Sequence, residues 1–416
     1  MKLGDVGNPD AAKYGKPLEG VRVLAAEQMQ ALPFGTQLLA RLGADVVKVE
    51  HPVEGESGRG ALPAMDDPQG RRVGATYLRN NLNKRSVGID LKAPKGRELF
   101  LALVPHFDVV AENFRAGTMK KLGLAYEDCA AVHPAVIYAS VSGFGNTIAS
   151  PYDSWAAYAP IAEAMSGIYD YKQDPDQPPV IGPAGALGDI SSALFATIGV
   201  LAALRHRDRT GEGQYVDVSM LDSMVAMSDL VPNFWSLGLR PRQGLGPLLV
   251  MDGFRASDGW FVVQVGREHQ FERLAKLVGH PEWLEDERFA TREGWRIHLE
   301  AVIRPAIEEW ASDKTKLEAS HGMNAEGIAA GPVNAAPDVI ADPHIAARNM
   351  LVEMARTDGV ADPVLIPGNP VKMSKVAEGP ETRVPWVGEH TADVLRAELG
   401  LSDDELDKLR ADGVIT

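Results

Sequence analysis

The run Ala186-Leu187-Gly188-Asp189 sets one carboxylate at the head of an apolar stretch, and in this chain of 416 residues it is the plainest candidate for chemistry. Ile190, Ala193, Leu194, Ile198, Leu201 and Leu204 recur at spacings of three and four, which predicts a helix carrying them on one face. Two readings of Asp189 stay open on this pattern. As an N-cap it accepts a backbone N–H two or three residues on, and the local sequence needs nothing more. As a nucleophile it gains from small neighbours that admit a large ligand, and from free N–H groups of the first turn that stabilise developing negative charge.

A second group is Asn113-Phe114-Arg115, which follows the strand pattern Phe107 to Glu112. Ligands of parallel sheets gather at the carboxyl ends of strands, and an amide, an aromatic face and a guanidinium can together hold a nucleotide. The same three residues also read as a turn former, a packing residue and a solvated cation. Lys84, Arg85, Lys92 and Lys121 carry the same two readings. None of the ten histidines forms HxxxH or HExxH, so no zinc site is expected, and GxSxG is absent. Cys129, the single cysteine, reads as a small buried apolar residue in a reducing compartment.

The elements that must position these groups follow a βαβ rhythm. Val21 to Leu24 reads as a strand, Phe34 to Leu42 as a helix stopped by Gly43, and Asp45 to Glu50 as a second strand, so parallel pairing is expected. The turn after the first strand lacks GxGxxG, which leaves NAD binding unsupported although Glu50 ends the second strand. Residues 53–76, rich in Gly, Pro and charge, predict a long loop. Val87 to Leu91, Phe107 to Glu112, Val136 to Val141 and Tyr215 to Met220 predict further strands, with a helix from Pro94 to Leu103. Near Leu248 the pattern changes to the strand Trp260 to Val265 and then to charged helices. The expected fold is α/β: a large domain with a parallel, Rossmann-like sheet over residues 1–240, a smaller α+β middle domain over 241–335, and a return to the large domain over 336–416. In that return Pro337 to Arg348 reads as a helix, followed by a proline-rich strand region and a final helix pair.

A hydrophobic content of 45% supports a large core, and a formal charge of −15 without a basic block excludes nucleic acid as a partner. No stretch of roughly twenty uninterrupted apolar residues stands out, so a cytoplasmic protein without a membrane partner is expected.

The ordered strings LEGVRVL, LARLGADVVKVEHP, NKRSVGIDLK, AENFRAGTMKKLGL, ALGDISSALFATIGVLAALRHRDRTGEGQYVDVSMLDSM, AAGPVN, PGNPVKMS and GEHTADVL span almost the whole chain. Together they resemble the class III (CaiB/BaiF) CoA-transferase family. In that family the acid of the Gly-Asp pair is the nucleophile, so the resemblance assigns catalysis to Asp189. It implies an acyl-aspartyl anhydride, then an aspartyl-CoA thioester, and CoA thioesters as substrates with no permanently bound cofactor and no metal. It implies CoA contacts at Gln30, Ala31, His51, Ile89, Asp90, Leu91, Lys92, Asn113, Phe114, Arg115, Lys121 and Tyr158. It also implies an interlocked homodimer. His51 stands where the family usually has a basic residue. Ala159 follows Tyr158 where some formyl-CoA transferases carry Glu, and only Gln243-Gly244-Leu245-Gly246 is found for the glycine run of that subgroup. α-Methylacyl-CoA racemases share the fold and provide the alternative function, but their His-Asp pair has no His partner here, where Ala157-Tyr158-Ala159 stands.

Overall fold

The computed structural model describes residues 1–169, 177–181, 186–228, 233–238 and 248–416. Gln243 to Gly246 lie outside them. The chain divides into two compact units, Met1–Leu237 with His344–Thr416, and Gly238–Pro343.

The first unit is built on β1 (Arg22–Ala26), α1 (Pro33–Arg41), β2 (Asp45–Glu50), β3 (Ala64–Asp66), β4 (Arg72–Gly74), α2 (Ala75–Asn80), β5 (Lys84–Gly88), α3 (Pro94–Leu103) and β6 (Val109–Glu112). It continues with α4 (Thr118–Leu122), α5 (Tyr126–Val132), β7 (Ile137–Ser142), α6 (Ala159–Met165), α7 (Leu187–Thr210), β8 (Gln214–Ser219) and α8 (Met220–Ala226). Six strands form one sheet in the order β5-β2-β1-β6-β7-β8, and every pair in it is parallel. This is the doubly wound order, with its reversal between β1 and β6.

Alternation within the strands feeds two cores. Leu24, Val47, Val49, Val110 and Tyr138 face the layer of α3, α5 and the closing helices Thr391–Leu399 and Asp403–Ala411. Val23, Ala25, Val46, Val109, Ile137 and Ala139 face α1, α7 and α8.

α7 sits against that second face by a stripe that shares Ala193 and Leu204 with the one expected and departs from it elsewhere. Ser192, Ala196, Val200 and Ala203 are buried, while Leu194, Ile198 and Leu201 point outward at 42%, 61% and 36% exposure. Small side chains win because the helix lies so close: a Cβ on Gly199 would come within 2.5 Å of Val216 Cγ1. By length and composition α7 is also long and apolar enough to cross a membrane, although charged residues interrupt its apolar run. Its small-residue face is nonetheless part of the sheet's core.

Residues 53–76 are more ordered than a loop. They hold a short 3-10 turn and the β3–β4 hairpin, and α2 begins at Ala75. Buried Arg59 pins them: Nε and Nη2 donate to Glu50 at 2.7 and 2.6 Å, and Nη2 reaches Tyr77 and the Pro385 carbonyl. The helix expected from Pro337 to Arg348 is two, Ala336–Ala341 and Pro343–Ala347, because a proline at 343 cannot supply the N–H that would continue the first. The proline-rich region carries the hairpin of Leu351–Met354 and Val364–Pro367.

The second unit has a three-stranded antiparallel sheet, Val250–Ala256, Gly259–Val265 and Ala329–Pro332, with the middle strand in sequence at its centre. Its core is aromatic, with Phe271 stacked on Trp295 at 4.4 Å between centroids.

Beneath the carboxyl edge of the parallel sheet lies a fully buried ion cluster. Lys84 Nζ donates to Glu27 Oε1 at 2.7 Å, to the Pro33 carbonyl at 2.9 Å and to Asn81 at 3.1 Å, and Lys48 Nζ lies 3.8 Å from Glu27 and 3.6 Å from Glu56. Burial alone would raise the Glu27 carboxyl, but Lys84 and Lys48 outweigh it and hold Glu27 ionised below the usual range. Removing one member strands opposite charges in the interior. Glu27→Gln is therefore expected to lower unfolding stability by about 3–5 kcal/mol in urea titrations, and a loss under about 1 kcal/mol would contradict the pairing.

Candidate active site

At the reversal point the chain following β1 and the chain following β6 are stitched together: Gln28 N donates to Asn113 Oδ1 at 2.8 Å and Asn113 Nδ2 donates to the Gln28 carbonyl at 2.9 Å. A cleft of about 230 Å³ opens beside this pair. Gln28, Met29 and Ala31 form one wall, Asn113 to Ala116 another, and Val141 to Gly145, the end of β7 and the turn that follows, the floor. The segment holding Asp153 and Trp155 to Tyr158 crosses it, and Asp189 and Met220 close it.

Local sequence explains each wall. Met29 takes a left-handed backbone, φ 59°, held by its N–H on Glu56 Oε2 at 2.9 Å. Arg115 Nη2 donates to the Ser154 carbonyl, which ties the crossing segment to the end of β6. Phe144, Tyr152 and Trp155 pack with centroids 4.8 to 6.4 Å apart. Gly143 is required where it stands, since a Cβ there would overlap the Ala157 methyl.

Asp189 is the third residue of α7, not its cap. The cap position is Ala186, which makes no side-chain hydrogen bond. Among the described residues no hydrogen-bond donor reaches the Asp189 carboxylate. The supply of free first-turn amides is also smaller than expected, because Gly188 N donates to Glu163 Oε1 at 3.1 Å and Ile190 N to the Ala186 carbonyl at 3.1 Å. Burial pushes the Asp189 carboxyl up, nearby Glu163 pushes further, and Arg79 opposes them, leaving it at about 6. A carboxylate in a cleft with no donor among the described residues, ionised at neutral pH yet more basic than usual, is suited to act as a nucleophile.

Of the residues the sequence singled out, Ala31, Asn113, Phe114, Arg115, Tyr158 and Asp189 line this cleft. Gln30 sits behind it, nearly buried, accepting from Arg79 Nη1 at 2.5 Å. His51, Ile89, Asp90, Leu91, Lys92 and Lys121 do not line it. His51 and Ile89 to Lys92 stand just beyond the carboxyl ends of β2 and β5, on the same sheet edge. His51 Nδ1 accepts from the amides of Val53 and Glu54 at 3.4 and 3.2 Å, Ile89 is buried against the C-terminal segment, and Asp90 Oδ1 accepts from Lys92 N at 2.8 Å. Leu91 is half-buried, and Lys92 and Lys121 are exposed, the latter on α4. Lys84 belongs to the buried ion cluster. Sequence reasoning missed Gln28, Met29, Phe144, Trp155, Arg79 and Glu163. Glu163 had a visible signal, as the one acid in the apolar run Ala159 to Met165.

Residues 18–391 match the family model described as CoA-transferase family III. The chain is 35% identical over 405 residues to the succinyl-CoA–L-malate CoA-transferase beta subunit of Chloroflexus aurantiacus, covering 96% of this chain and 98% of that one. It is 36% identical over 388 residues to the succinyl-CoA:mesaconate CoA-transferase of Haloarcula hispanica, covering 91% and 95%. A crystal structure of a CaiB/BaiF family protein from Brucella suis superposes with a TM-score of 0.79 at 34% identity, covering 92% of this chain and 99% of that one. The chain belongs to CoA-transferase family III, the CaiB/BaiF family, and is a CoA-transferase.

The raised Asp189 carboxyl has a consequence for stability. The folded chain binds this proton more tightly than the unfolded chain, whose Asp titrates near 3.8, so stability falls as pH rises from about 4 to about 6 and the deficit is complete above 6. Asp189→Asn removes that deficit. The variant is expected to be more stable than the parent at pH 7.5 by on the order of 1–3 kcal/mol in urea titrations, the gain shrinking as pH falls below 6. A destabilised variant at pH 7.5 would contradict the raised setting of Asp189.

Proposed function

We propose that this enzyme moves CoA from a dicarboxylic acyl-CoA donor to a second carboxylic acid, with Asp189 as the covalent carrier. The observation that carries the reading is the raised Asp189 carboxylate, without a hydrogen-bond donor among the described residues, in the cleft at the strand-order reversal. An Asp189 oxygen attacks the thioester carbonyl, the C–S bond breaks, and CoA leaves as the thiolate from an acyl-aspartyl anhydride. The thiolate attacks the aspartyl carbonyl, releasing the donor acid and forming an aspartyl-CoA thioester. The acceptor carboxylate displaces CoA to give a second anhydride, and the thiolate then attacks the acceptor's carbonyl, freeing Asp189.

Asn113, Phe114, Arg115, Gln30, Ala31 and Tyr158 surround or back the cleft and fit contacts to the thiol arm of CoA. His51, Ile89, Asp90, Leu91, Lys92 and Lys121 share the strand-end edge and the α4 surface and fit its nucleotide end. CoA is a substrate in this scheme, and no resident cofactor or metal takes part. The named relatives act with succinyl-CoA, malate and mesaconate, which favours dicarboxylates over monocarboxylates. The outward stripe of Leu194, Phe195, Ile198 and Leu201 on α7 supports burial against a second copy of the chain as a homodimer, with the enzyme working in the cytoplasm.

Incubation with a panel of acyl-CoA thioesters followed by hydroxylamine and peptide mass spectrometry tests the carrier role. A hydroxamate at Asp189 that depends on acyl-CoA is expected, strongest with succinyl-CoA and absent in Asp189→Ala. A donor that binds and turns over without modifying Asp189 would overturn it. Because the ionised form attacks, kcat/KM is expected to fall with one-proton dependence as pH drops through about 6.

A further inference from the structure

Glu163 has no part in the bond-making steps, yet it is the most constrained carboxylate near them. It is 3% exposed, on the short helix α6, and its two oxygens are spoken for. Oε1 accepts from Gly188 N at 3.1 Å, and Oε2 accepts from the Tyr169 hydroxyl. The contact is close on both sides of that hydrogen bond. A Cβ on Gly188 would lie 3.0 Å from Ala159 Cα and 3.1 Å from the Ala159 carbonyl oxygen, so α6 and the first turn of α7 meet backbone to backbone. The residue held is the one immediately before the nucleophile.

We infer that Glu163 is the positioning residue of the reaction: through the Gly188 amide it fixes the turn that aims Asp189 into the cleft, and it keeps a like charge beside the attacking carboxylate. This rests on the reading of Asp189 as nucleophile. The charged groups around Asp189 support the second half. Glu163 faces it from α6 and Arg79 from α2, and Arg115 and Asp153 line the same cleft. On the other elements packed against α7, Arg41 of α1 is engaged with Glu381, Asp217 of β8 holds the amides of Asn146 and Thr147, and Asp222 of α8 is exposed. A like charge makes the carboxylate more basic, and a more basic oxygen is the better nucleophile so long as it stays ionised.

The test compares parent, Glu163→Gln and Glu163→Ala, with thermal unfolding checked for each. The measured quantities are the pH dependence of the single-turnover rate of Asp189 modification by succinyl-CoA, and KM. The Gln side chain keeps an acceptor for Gly188 N and lets the Tyr169 hydroxyl reverse its role, but carries no charge. Glu163→Gln is expected to retain modification and KM, with the acidic limb moved to lower pH by on the order of half a unit. Its plateau rate is expected to be lower. Glu163→Ala is expected to lose at least about tenfold in the modification rate, with KM changed less. A Gln variant whose profile superimposes on the parent's would overturn the charge role, and an Ala variant as fast as the parent would overturn the anchoring role. Both outcomes leave the parent's own modification in place, whereas a parent that is never modified would sink the covalent reading itself.

Discussion

Between β1 and β6 the chain leaves the sheet on opposite faces: α1 packs into the core layer shared with α7, while α4 and α5 pack into the layer on the far side. A crevice opens between the two strand ends, and the backbone groups at its lip must find partners. The reciprocal Gln28–Asn113 hydrogen bonds supply two of them. The Arg115–Ser154 bond then draws the segment after β7 across the opening, and α7 arrives with its first turn at the same place. The position of the cleft is thus a consequence of strand order, and the chemistry follows from what each chain segment brings to that point.

Two carboxylates near this end of the sheet show how environment divides their roles. Glu27 is buried with Lys84 and Lys48 around it and Thr36 donating to it, and it is held ionised as structure. Asp189 has a like charge beside it, no donor within reach among the described residues and one guanidinium at a distance. The first arrangement lowers the folded state's energy; the second raises it and keeps an oxygen lone pair available. A site that costs stability in this way persists because the ion cluster and the two sheet cores offset it.

Much of this was legible in the residues. β2 and α3 run as the apolar spacing and the opening proline of α3 imply, and the remaining strands of the sheet differ by a few residues at their ends. Asp189 and the Asn113 to Arg115 group were visible as a helix-start acid and a strand-end polar cluster. What periodicity could not show is which of two apolar faces of α7 turns inward, since Leu194 and Ile198 are larger apolar side chains than Ala196 and Val200 while the close approach of Val216 decides for the small ones. Nor could spacing separate a cap from a third helical position, because that depends on the conformation of Ala186. Residues 53–76 looked like a loop because their order comes from Arg59 pairing with Glu50, a contact the sequence does not advertise. Glu163 and Arg79 lie 26 and 110 residues from Asp189 in sequence, so only the fold brings them to it.

The covalent carrier role of Asp189 is tested most directly by isotope transfer. With an acceptor acid labelled with oxygen-18 in both carboxylate positions, each complete transfer through the second anhydride leaves one acceptor oxygen on Asp189. Peptide mass spectrometry after turnover with succinyl-CoA and the labelled acid is predicted to find the heavy oxygen in the Asp189 peptide, and the succinate released in later cycles to carry it too. Turnover that yields labelled acyl-CoA while Asp189 stays light would contradict the account.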